Sequence, residues 1–251
     1  MATIDLNADL GETVDGVPTA DDEAMFAVVS SASVACGGHA GDDASMRAAV
    51  ARASRFGVAL GAHPSFPDRA GFGRTALAID PASLRVEVAA QLAALEAAGA
   101  GIRYVKPHGA LYHAAGARPA VARAVTAAVA DLATRRGRAV PVLGLGDALA
   151  DAAAAAGLPF VREAFLDRGY LPDGTLVPRT DPGALLDDPQ RVAERAVLLA
   201  CEGVVDTVDG SRIEARAASL CVHGDSPSAV AMARAVRAAL DAAGVEVRAP
   251  W

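Results

Sequence analysis

Four of the five histidines in this 251-residue chain stand in short Gly- or Pro-containing corners that follow apolar, strand-like runs. They are His39 in ACGGHAGD, His63 in GAHPSFPD, His108 in VKPHGALY and His223 in CVHGD. Imidazole can accept or donate a proton near neutral pH, and in its neutral form it is a common metal ligand. These corners therefore indicate acid–base or metal chemistry. The fifth histidine, His113, lies beyond its corner, and we expect it at the surface.

Carboxylates accompany the first strand-like run, DLNADLGE. Asp5, Asn7 and Asp9 alternate, so they share one strand face. A carboxylate inside an apolar strand is costly unless it is paired or used. Asp9 lies nearest the strand end and is the better general-base candidate. Asn7 is a candidate for substrate binding, although Asp5 and Asn7 could instead fasten the backbone.

Lys106 and His108 are two residues apart in VKPHGALY and share a strand face. A lysine inside a strand must find an anion or lose its proton. Lys106 is therefore either a catalytic amine or an anion clamp. With Asp9, His39, His63, His108 and His223, it completes the predicted catalytic set.

The loop GAHPSFPDRAGFGR is long and rich in Gly and Pro, as lids over active sites often are. Phe66 and Phe72 could cover a small apolar ring. Arg74 is a candidate for binding a substrate carboxylate through two hydrogen bonds. Arg69 could do the same or could be ordinary surface charge.

Further candidates for substrate binding lie in the last third of the chain. Asp167, Arg168 and Arg179 belong to FLDRGYLPDGTLVPR, where Asp167 and Arg168 could instead form a simple salt bridge. Asp225 follows His223 and could orient that imidazole as a base, or cap the helix that begins near Pro227.

The corner CGGHAGDD leads into a helix, whose free N–H groups could hold an anion. The simpler interpretation is a tight turn at Gly37 and Gly38 with Asp42 or Asp43 capping the helix. Cys36 could be a nucleophile, but a small thiol that ends an apolar strand is better explained as core.

Strand-like and helical segments alternate along the chain, which favours parallel strands joined by helical crossovers. The predicted strands cover residues 3–8, 30–36, 58–62, 103–107, 139–144, 161–166, 219–223 and 245–249. The predicted helices cover residues 42–56, 81–98, 118–136, 146–156, 189–203 and 227–243. We predict one α/β domain over 1–251, a (β/α) barrel, with an open doubly wound sheet as the alternative. Residues 205–217, with Asp-Gly between alternating runs, predict an inserted β-hairpin. The active-site corners would then gather at one mouth of the barrel.

Composition excludes several classes of function. A net charge of −7 and a pI near 5.2 argue against nucleic-acid or anionic-membrane partners. Three isolated cysteines, an N-terminus without an apolar signal core and the lack of a long apolar run predict a cytoplasmic protein. A phosphate-binding GxxxxGK[ST] loop is missing from the sequence, so we expect no ATP site in this chain.

Six motifs in this order resemble the LamB/YcsF family, which supplies one component of 5-oxoprolinase. They are DLNADLGE, SASVACGGHAGD, GAHPSFPDRAGFGR, VKPHGALYH, FLDRGYLPDGTLVPR and CVHGD, which together run from Asp5 to Asp225. Two departures are Gly38, where an aromatic residue is common, and Leu166, where alanine is common. Gly38 could enlarge the pocket.

The resemblance implies a distorted seven-stranded (β/α) barrel similar to the glycoside hydrolase and deacetylase barrels. It implies a complex with two further subunits, B and C, that opens 5-oxo-L-proline, a cyclic amide, to L-glutamate with ATP hydrolysis. ATP would bind to the partners, and this chain would open the ring.

Two alternatives remain open at this stage. One is a metal-dependent, deacetylase-like hydrolase of a small amide or sugar, in which Asp9 and two of the histidines bind a divalent ion. The other is a scaffold without catalytic function, which the number of ionisable corners argues against.

Overall fold

The computed structural model describes residues 2–251 and contains alternating strands and helices. Its strands are β1 (Thr3–Leu10), β2 (Thr13–Val14), β3 (Val17–Pro18), β4 (Ser31–Ala35), β5 (Ala59–His63), β6 (Tyr104–Val105), β7 (Val142–Gly144), β8 (Phe160–Phe165), β9 (Val204–Asp206), β10 (Arg212–Glu214), β11 (Ser219–Cys221) and β12 (Glu246–Val247). Its helices are α1 (Asp22–Phe26), α2 (Asp43–Phe56), α3 (Pro81–Ala97), α4 (Gly109–Ala117), α5 (Pro119–Arg136), α6 (Asp147–Ala155), α7 (Pro189–Glu202) and α8 (Ala229–Ala242).

The main sheet is closed by its hydrogen bonding. Its strand order is β11-β8-β7-β6-β5-β4-β1-β12, and β11 also pairs with β1. The pairs β1–β11, β11–β8, β5–β6 and β6–β7 are parallel. Seven strands therefore form a closed parallel ring, and β12 adds to β1. The predicted (β/α) barrel is confirmed, and the open doubly wound alternative is wrong.

The chain divides into two compact units. One comprises residues 2–8, 20–31 and 162–250, and the other comprises 9–19, 32–161 and 251. Each is described by itself below. The prediction of one domain over 1–251 stays a prediction. The antiparallel pair β9–β10 occupies the segment in which the sequence predicts a hairpin.

In the unit that contains β5 and β6, a glycine makes room for a large core side chain. The Tyr104 ring lies 2.3 Å from the place where a Cβ on Gly61 would be, so no side chain fits at position 61. The Tyr104 hydroxyl lies 3.0 Å from Ser33 Oγ, which gives this fully buried phenol a hydrogen-bond partner. The Trp251 ring packs 4.4 Å from it.

In the other unit, Asp5 is the centre of a buried polar network. Its carboxylate accepts hydrogen bonds from Ser30 at 2.6 Å, Ser31 at 2.7 Å and Ser219 at 2.5 Å. Burial raises the pKa of Asp5, and the three serines only partly offset that effect. Asn7 donates to Ser219 Oγ at 2.8 Å. Asp5 and Asn7 therefore join β1 to neighbouring segments, which agrees with the alternative that these two residues fasten the backbone.

Most predicted helix ends are observed. Asp42 caps α2 in a capping box with Ser45, and Gly57 ends that helix with a left-handed φ of 69°. The sequence missed α4, which covers Gly109–Ala117 directly before α5. The last helix begins at Ala229 after Ser228, not at 227. Among residues 2–251, no helix is long and apolar enough to cross a membrane.

Candidate active site

Five of the predicted catalytic residues meet in one unit, at the ends of four strands. Asp9 lies near the end of β1, His63 ends β5, His39 follows β4, and Lys106 and His108 follow β6. All five side chains are buried, and only 1% of the surface of Lys106 is exposed. Polar groups buried this far from water must satisfy one another, and their contacts define the site.

Asp9 links the lysine to the histidines. Its Oδ1 accepts a hydrogen bond from Lys106 Nζ at 2.8 Å, and its Oδ2 lies 3.2 Å from His63 Nε2. Asp9 is therefore the anion that the buried Lys106 amine requires. The ion pair holds the carboxylate in a fixed orientation towards His63.

Two backbone carbonyls fix the rings of His63 and His108. His63 Nδ1 lies 2.8 Å from the Lys106 carbonyl, and His108 Nε2 lies 2.9 Å from the Phe72 carbonyl. The remaining nitrogens, His63 Nε2 and His108 Nδ1, are 3.0 Å apart. Phe72 has a φ of 53°, which is uncommon for a residue other than glycine. This strained backbone is the segment whose carbonyl contacts His108.

His39 stacks on His108 with ring centroids 3.7 Å apart and planes at 6°. Its Nε2 lies 3.0 Å from Glu12 Oε1. Burial lowers the pKa of both histidines well below the usual range, and the close packing of the histidines against one another adds to the effect. Both rings are therefore neutral at neutral pH.

Glu12 is a site residue that the sequence reasoning missed. It lies beyond the end of β1, after Gly11 with its left-handed φ of 70°, so the two-residue alternation that pointed to Asp9 no longer applies. Its side chain is buried against His39, and Oε1 also lies 3.7 Å from His108 Nδ1. The available signal was its place in the same DLNADLGE motif as Asp9.

The long loop after β5 supplies contacts rather than a complete apolar lid. Phe66 is fully buried, whereas the Phe72 ring packs against His39 at 5.3 Å. Arg69 donates to the carbonyls of Gly37 and Gly41, both at 2.9 Å, as a structural tie. Exposed Arg74 places its guanidinium 5.0 Å from the Phe72 ring.

The space beside Gly38 is already filled. A Cβ on Gly38 would lie 2.5 Å from both Gln91 Oε1 and Ser65 Oγ. Gln91 is held there by two 2.9 Å hydrogen bonds with the backbone of Ser65. The expectation that Gly38 enlarges the pocket is therefore wrong.

Cys36 is not an activated nucleophile. Burial raises the pKa of its thiol to about 12, and the thiol donates to the Val34 carbonyl at 3.1 Å. The thiolate is the nucleophilic form, so a group that keeps its proton at neutral pH is a core residue.

The other unit holds its own polar cluster, around His223. Asp167 accepts from the His223 backbone N–H at 2.9 Å, and both of its oxygens lie 2.9 Å from Nδ1. The group that orients His223 is therefore Asp167. Asp225 instead lies 3.7 Å from Arg179, and Ser228 is the N-cap of α8, so the cap predicted for Asp225 is wrong.

Arg168 is buried in the same unit and joins two segments of backbone. It donates to the carbonyls of Val177 at 2.7 Å and Ala184 at 3.1 Å. These bonds give Arg168 a structural use, as the Ser219 bond does for Asn7. Substrate contacts by either residue stay a prediction, as does a common pocket for His223 and the first cluster.

A comparison with known protein families places this arrangement. The model of the LamB/YcsF family matches residues 4–250. The chain belongs to the LamB/YcsF family. The resemblance that the sequence motifs suggested is therefore confirmed.

Curated relatives cover the chain from end to end. A protein of Streptomyces griseus, named as the A subunit of 5-oxoprolinase, is 54% identical over 98% of this chain and 99% of its own length. A protein of Cutibacterium acnes with the same name is 48% identical over 99% of each chain.

Solved structures agree on the fold. The lactam utilization protein from Thermus thermophilus superposes with a TM-score of 0.91 at 43% identity, covering 98% of this chain and 99% of that one. A family 4 carbohydrate esterase from Streptomyces lividans gives a TM-score of 0.50 at 12% identity over 98% and 91% of the two chains. At that identity the esterase supports the barrel alone.

Proposed function

We propose that this chain is the ring-opening subunit of a 5-oxoprolinase, which hydrolyses 5-oxo-L-proline to L-glutamate in the cytoplasm. The substrate is inferred from the name 5-oxoprolinase, which relatives matching the whole chain carry. The observation that carries the catalytic role is the buried cluster of Asp9, Lys106 and three histidines. A scaffold protein has no need of such a cluster, because buried ionisable groups are costly.

The chemistry explains why ATP is required. The carbonyl carbon of a lactam is a poor electrophile, and a phosphoryl group on its oxygen makes it a better one. Water can then add to that carbon, the C–N bond breaks as the nitrogen takes a proton, and a second water hydrolyses the resulting acyl phosphate. We propose that two partner subunits, B and C, bind ATP, since this chain has no phosphate-binding loop of the GxxxxGK[ST] type.

The cluster can supply a general base and a stabilising cation. Asp9, His39, His63 and His108 orient water and accept its proton, and the Lys106 ammonium stabilises negative charge that develops on oxygen. Lys106 remains charged in this role because it is paired with Asp9 at 2.8 Å.

The remaining candidates bind substrate in this proposal. Arg74 and Arg179 carry cations that can pair with the carboxylate of 5-oxoproline or a phosphoryl group. His223, held by Asp167, is a second proton carrier. Asn7, Asp167, Arg168 and Asp225 complete the proposed set of substrate-binding residues.

Reconstitution tests the proposal. The two partner subunits are incubated with 5-oxo-L-proline and ATP, and glutamate is measured with this chain, without it, and with its Lys106→Ala variant. We expect glutamate only with the wild-type chain. Glutamate formation without the chain, or full turnover by a folded and assembled Lys106→Ala variant, would refute the ring-opening role.

A further inference from the structure

The rings of His63 and His108 each direct one nitrogen at the other, at a distance of 3.0 Å. Each uses its other nitrogen to meet a backbone carbonyl, which only accepts hydrogen bonds, so His63 Nδ1 and His108 Nε2 carry the hydrogens. In neutral rings, His63 Nε2 and His108 Nδ1 then both carry lone pairs, at a distance of 3.0 Å. Asp9 Oδ2 lies 3.2 Å from the first of these nitrogens. With both rings neutral, three electron-pair donors therefore converge on one point.

We propose that Asp9 Oδ2, His63 Nε2 and His108 Nδ1 bind one divalent metal ion of the zinc class. One possible ligand atom from each of these three residues lies within 4.8 Å of the other two. Two imidazoles and a carboxylate form a ligand set suited to Zn²⁺ and similar ions. Bonds of about 2.0 Å in a tetrahedral site put ligand atoms about 3.3 Å apart. The observed 3.0 and 3.2 Å are within a few tenths of an ångström of that spacing.

The groups around the three ligands support the assignment. Metal-binding histidines usually donate their second N–H to a carbonyl or carboxylate, which fixes the ring and its tautomer. His63 does so to Lys106 and His108 to Phe72. Ligating carboxylates are hydrogen-bonded in turn, and Asp9 Oδ1 accepts from Lys106 Nζ at 2.8 Å. All three proposed ligands therefore have the outer partner that a metal site requires.

The same criterion rejects a neighbouring set, Glu12, His39 and His108, whose atoms are also close enough. His39 Nε2 faces the Glu12 carboxylate at 3.0 Å and therefore carries the hydrogen. To bind a metal through Nε2, His39 would have to move that hydrogen to Nδ1. Nδ1 is buried with no hydrogen-bond partner among residues 2–251. His39 and Glu12 are thus a hydrogen-bonded pair beside the site.

The ion goes beyond the proposed function, although its catalytic use rests on that function. A bound divalent ion lowers the pKa of its water ligand towards neutrality and so supplies hydroxide. Asp9, His63 and His108 would then orient water as ligands.

Metal binding can be measured on the full chain alone. The protein is stripped with a chelator, dialysed, and titrated with Zn²⁺ or Co²⁺, with bound metal determined by elemental analysis and the Co²⁺ site by its visible absorption spectrum. We expect about one ion per chain and the visible absorption spectrum of Co²⁺ in a site of low symmetry, such as a tetrahedral one. Failure of the stripped, folded wild type to take up either ion would overturn the proposal. A proton shared between His63 and His108 would then be the explanation of their approach.

Four matched substitutions locate the site. His63→Gln and His108→Gln should abolish stoichiometric uptake, whereas His39→Gln and the exposed His113→Gln should retain it. Circular dichroism establishes that each variant is folded. Loss of the ion in His39→Gln but not in His63→Gln would overturn the ligand assignment.

Metal uptake and activity fail independently. Glutamate formation by a demonstrably metal-free complex would exclude a catalytic ion and leave the ring-opening role intact. Stoichiometric metal uptake in a chain that the reconstituted complex does not need would refute the ring-opening role alone.

Discussion

Lys106 Nζ donates to Asp9 Oδ1 at 2.8 Å, and these residues are 97 positions apart in the chain. Both side chains are buried, with 1% and 7% of their surfaces exposed. The desolvation of two charges opposes their attraction, so such a pair adds little net stability. Removing one partner is different, because it leaves the other charge buried and uncompensated.

We therefore expect Lys106→Met and Asp9→Asn each to lower the free energy of unfolding by about 3–5 kcal/mol. The double variant should recover much of that loss, because neither charge is left alone. Glutamate formation by the reconstituted complex should be lost in all three. Urea unfolding of the four proteins measures the coupling.

The exposed pair formed by Arg85 and Asp131, 2.7 Å apart, is the control. Arg85→Met should change stability little, because exposed ion pairs are screened by water. A Lys106→Met variant as stable as wild type would show that the buried pair lacks the assigned electrostatic importance.

The sequence predicted that Lys106 needs an anion beside it, but not which acidic residue that anion is. A lysine in the apolar run around residue 106 requires an anion, which follows from solvation alone. Which of 30 acidic residues meets it depends on the order of the strands. The alternation of strand and helix indicated a barrel. The position of Asp9 at the end of a strand indicated that it lies at the barrel mouth.

Residues outside the regular alternation were harder to place. Glu12 lies after the turn at Gly11, where a period of two no longer indicates direction. Asp225, the nearest acid in sequence, was the natural partner for His223, yet Asp167 holds that ring from 56 residues away. Local sequence predicts that a histidine needs an acceptor, whereas long-range packing selects the acceptor.

Glu12 should matter for turnover through His39. Its carboxylate accepts the His39 Nε2–H at 3.0 Å, so Glu12→Ala leaves a buried donor unsatisfied and frees the ring. We expect kcat/KM to fall about 10- to 100-fold, as for other groups that orient site histidines. Glu12→Gln retains an acceptor oxygen and should retain more activity than Glu12→Ala.

Exposed Glu23 provides the comparison for that experiment. Glu23→Ala should leave turnover unchanged. If Glu12→Ala and Glu23→Ala had the same activity, Glu12 would have no role in positioning His39.

Gly73 should be intolerant of any side chain. It has a φ of 66°, and a Cβ there would lie 2.8 Å from both His108 Cδ2 and His39 Cβ. Gly73→Ala should therefore displace the stacked histidines and reduce turnover as well as stability. Gly137 is a matched control, with a φ of 62° and no heavy atom beyond its two chain neighbours within 4 Å of its Cβ position.

Gly137→Ala carries the same backbone strain, about 1 kcal/mol, without the collision. Its thermal stability should fall modestly while its turnover is unchanged. Equal losses of activity in the two variants would mean that contact with the histidines is not the reason for glycine at position 73.

The pairing of Asp167 with His223 should be visible in the pH dependence of stability. Burial alone would raise the pKa of Asp167, but charge and hydrogen bonding from His223, with a contribution from Arg179, outweigh it and lower that pKa below its usual 3.8. A lowered pKa means that the unfolded chain binds the proton more readily than the folded chain. Asp167 therefore stabilises the fold above pH 3.8, and this contribution disappears as the pH falls through the lower, folded-state pKa.

Urea unfolding at pH values on both sides of 3.8 tests this sign. Asp167→Asn cannot take up the proton, so its stability should decline less steeply than that of wild type as the pH is lowered through this range. Asp187→Asn, at an exposed carboxylate, should retain the wild-type slope because it leaves the Asp167–His223 pair intact. A slope in Asp167→Asn equal to that of wild type would show that His223 does not hold the Asp167 carboxylate in its charged form.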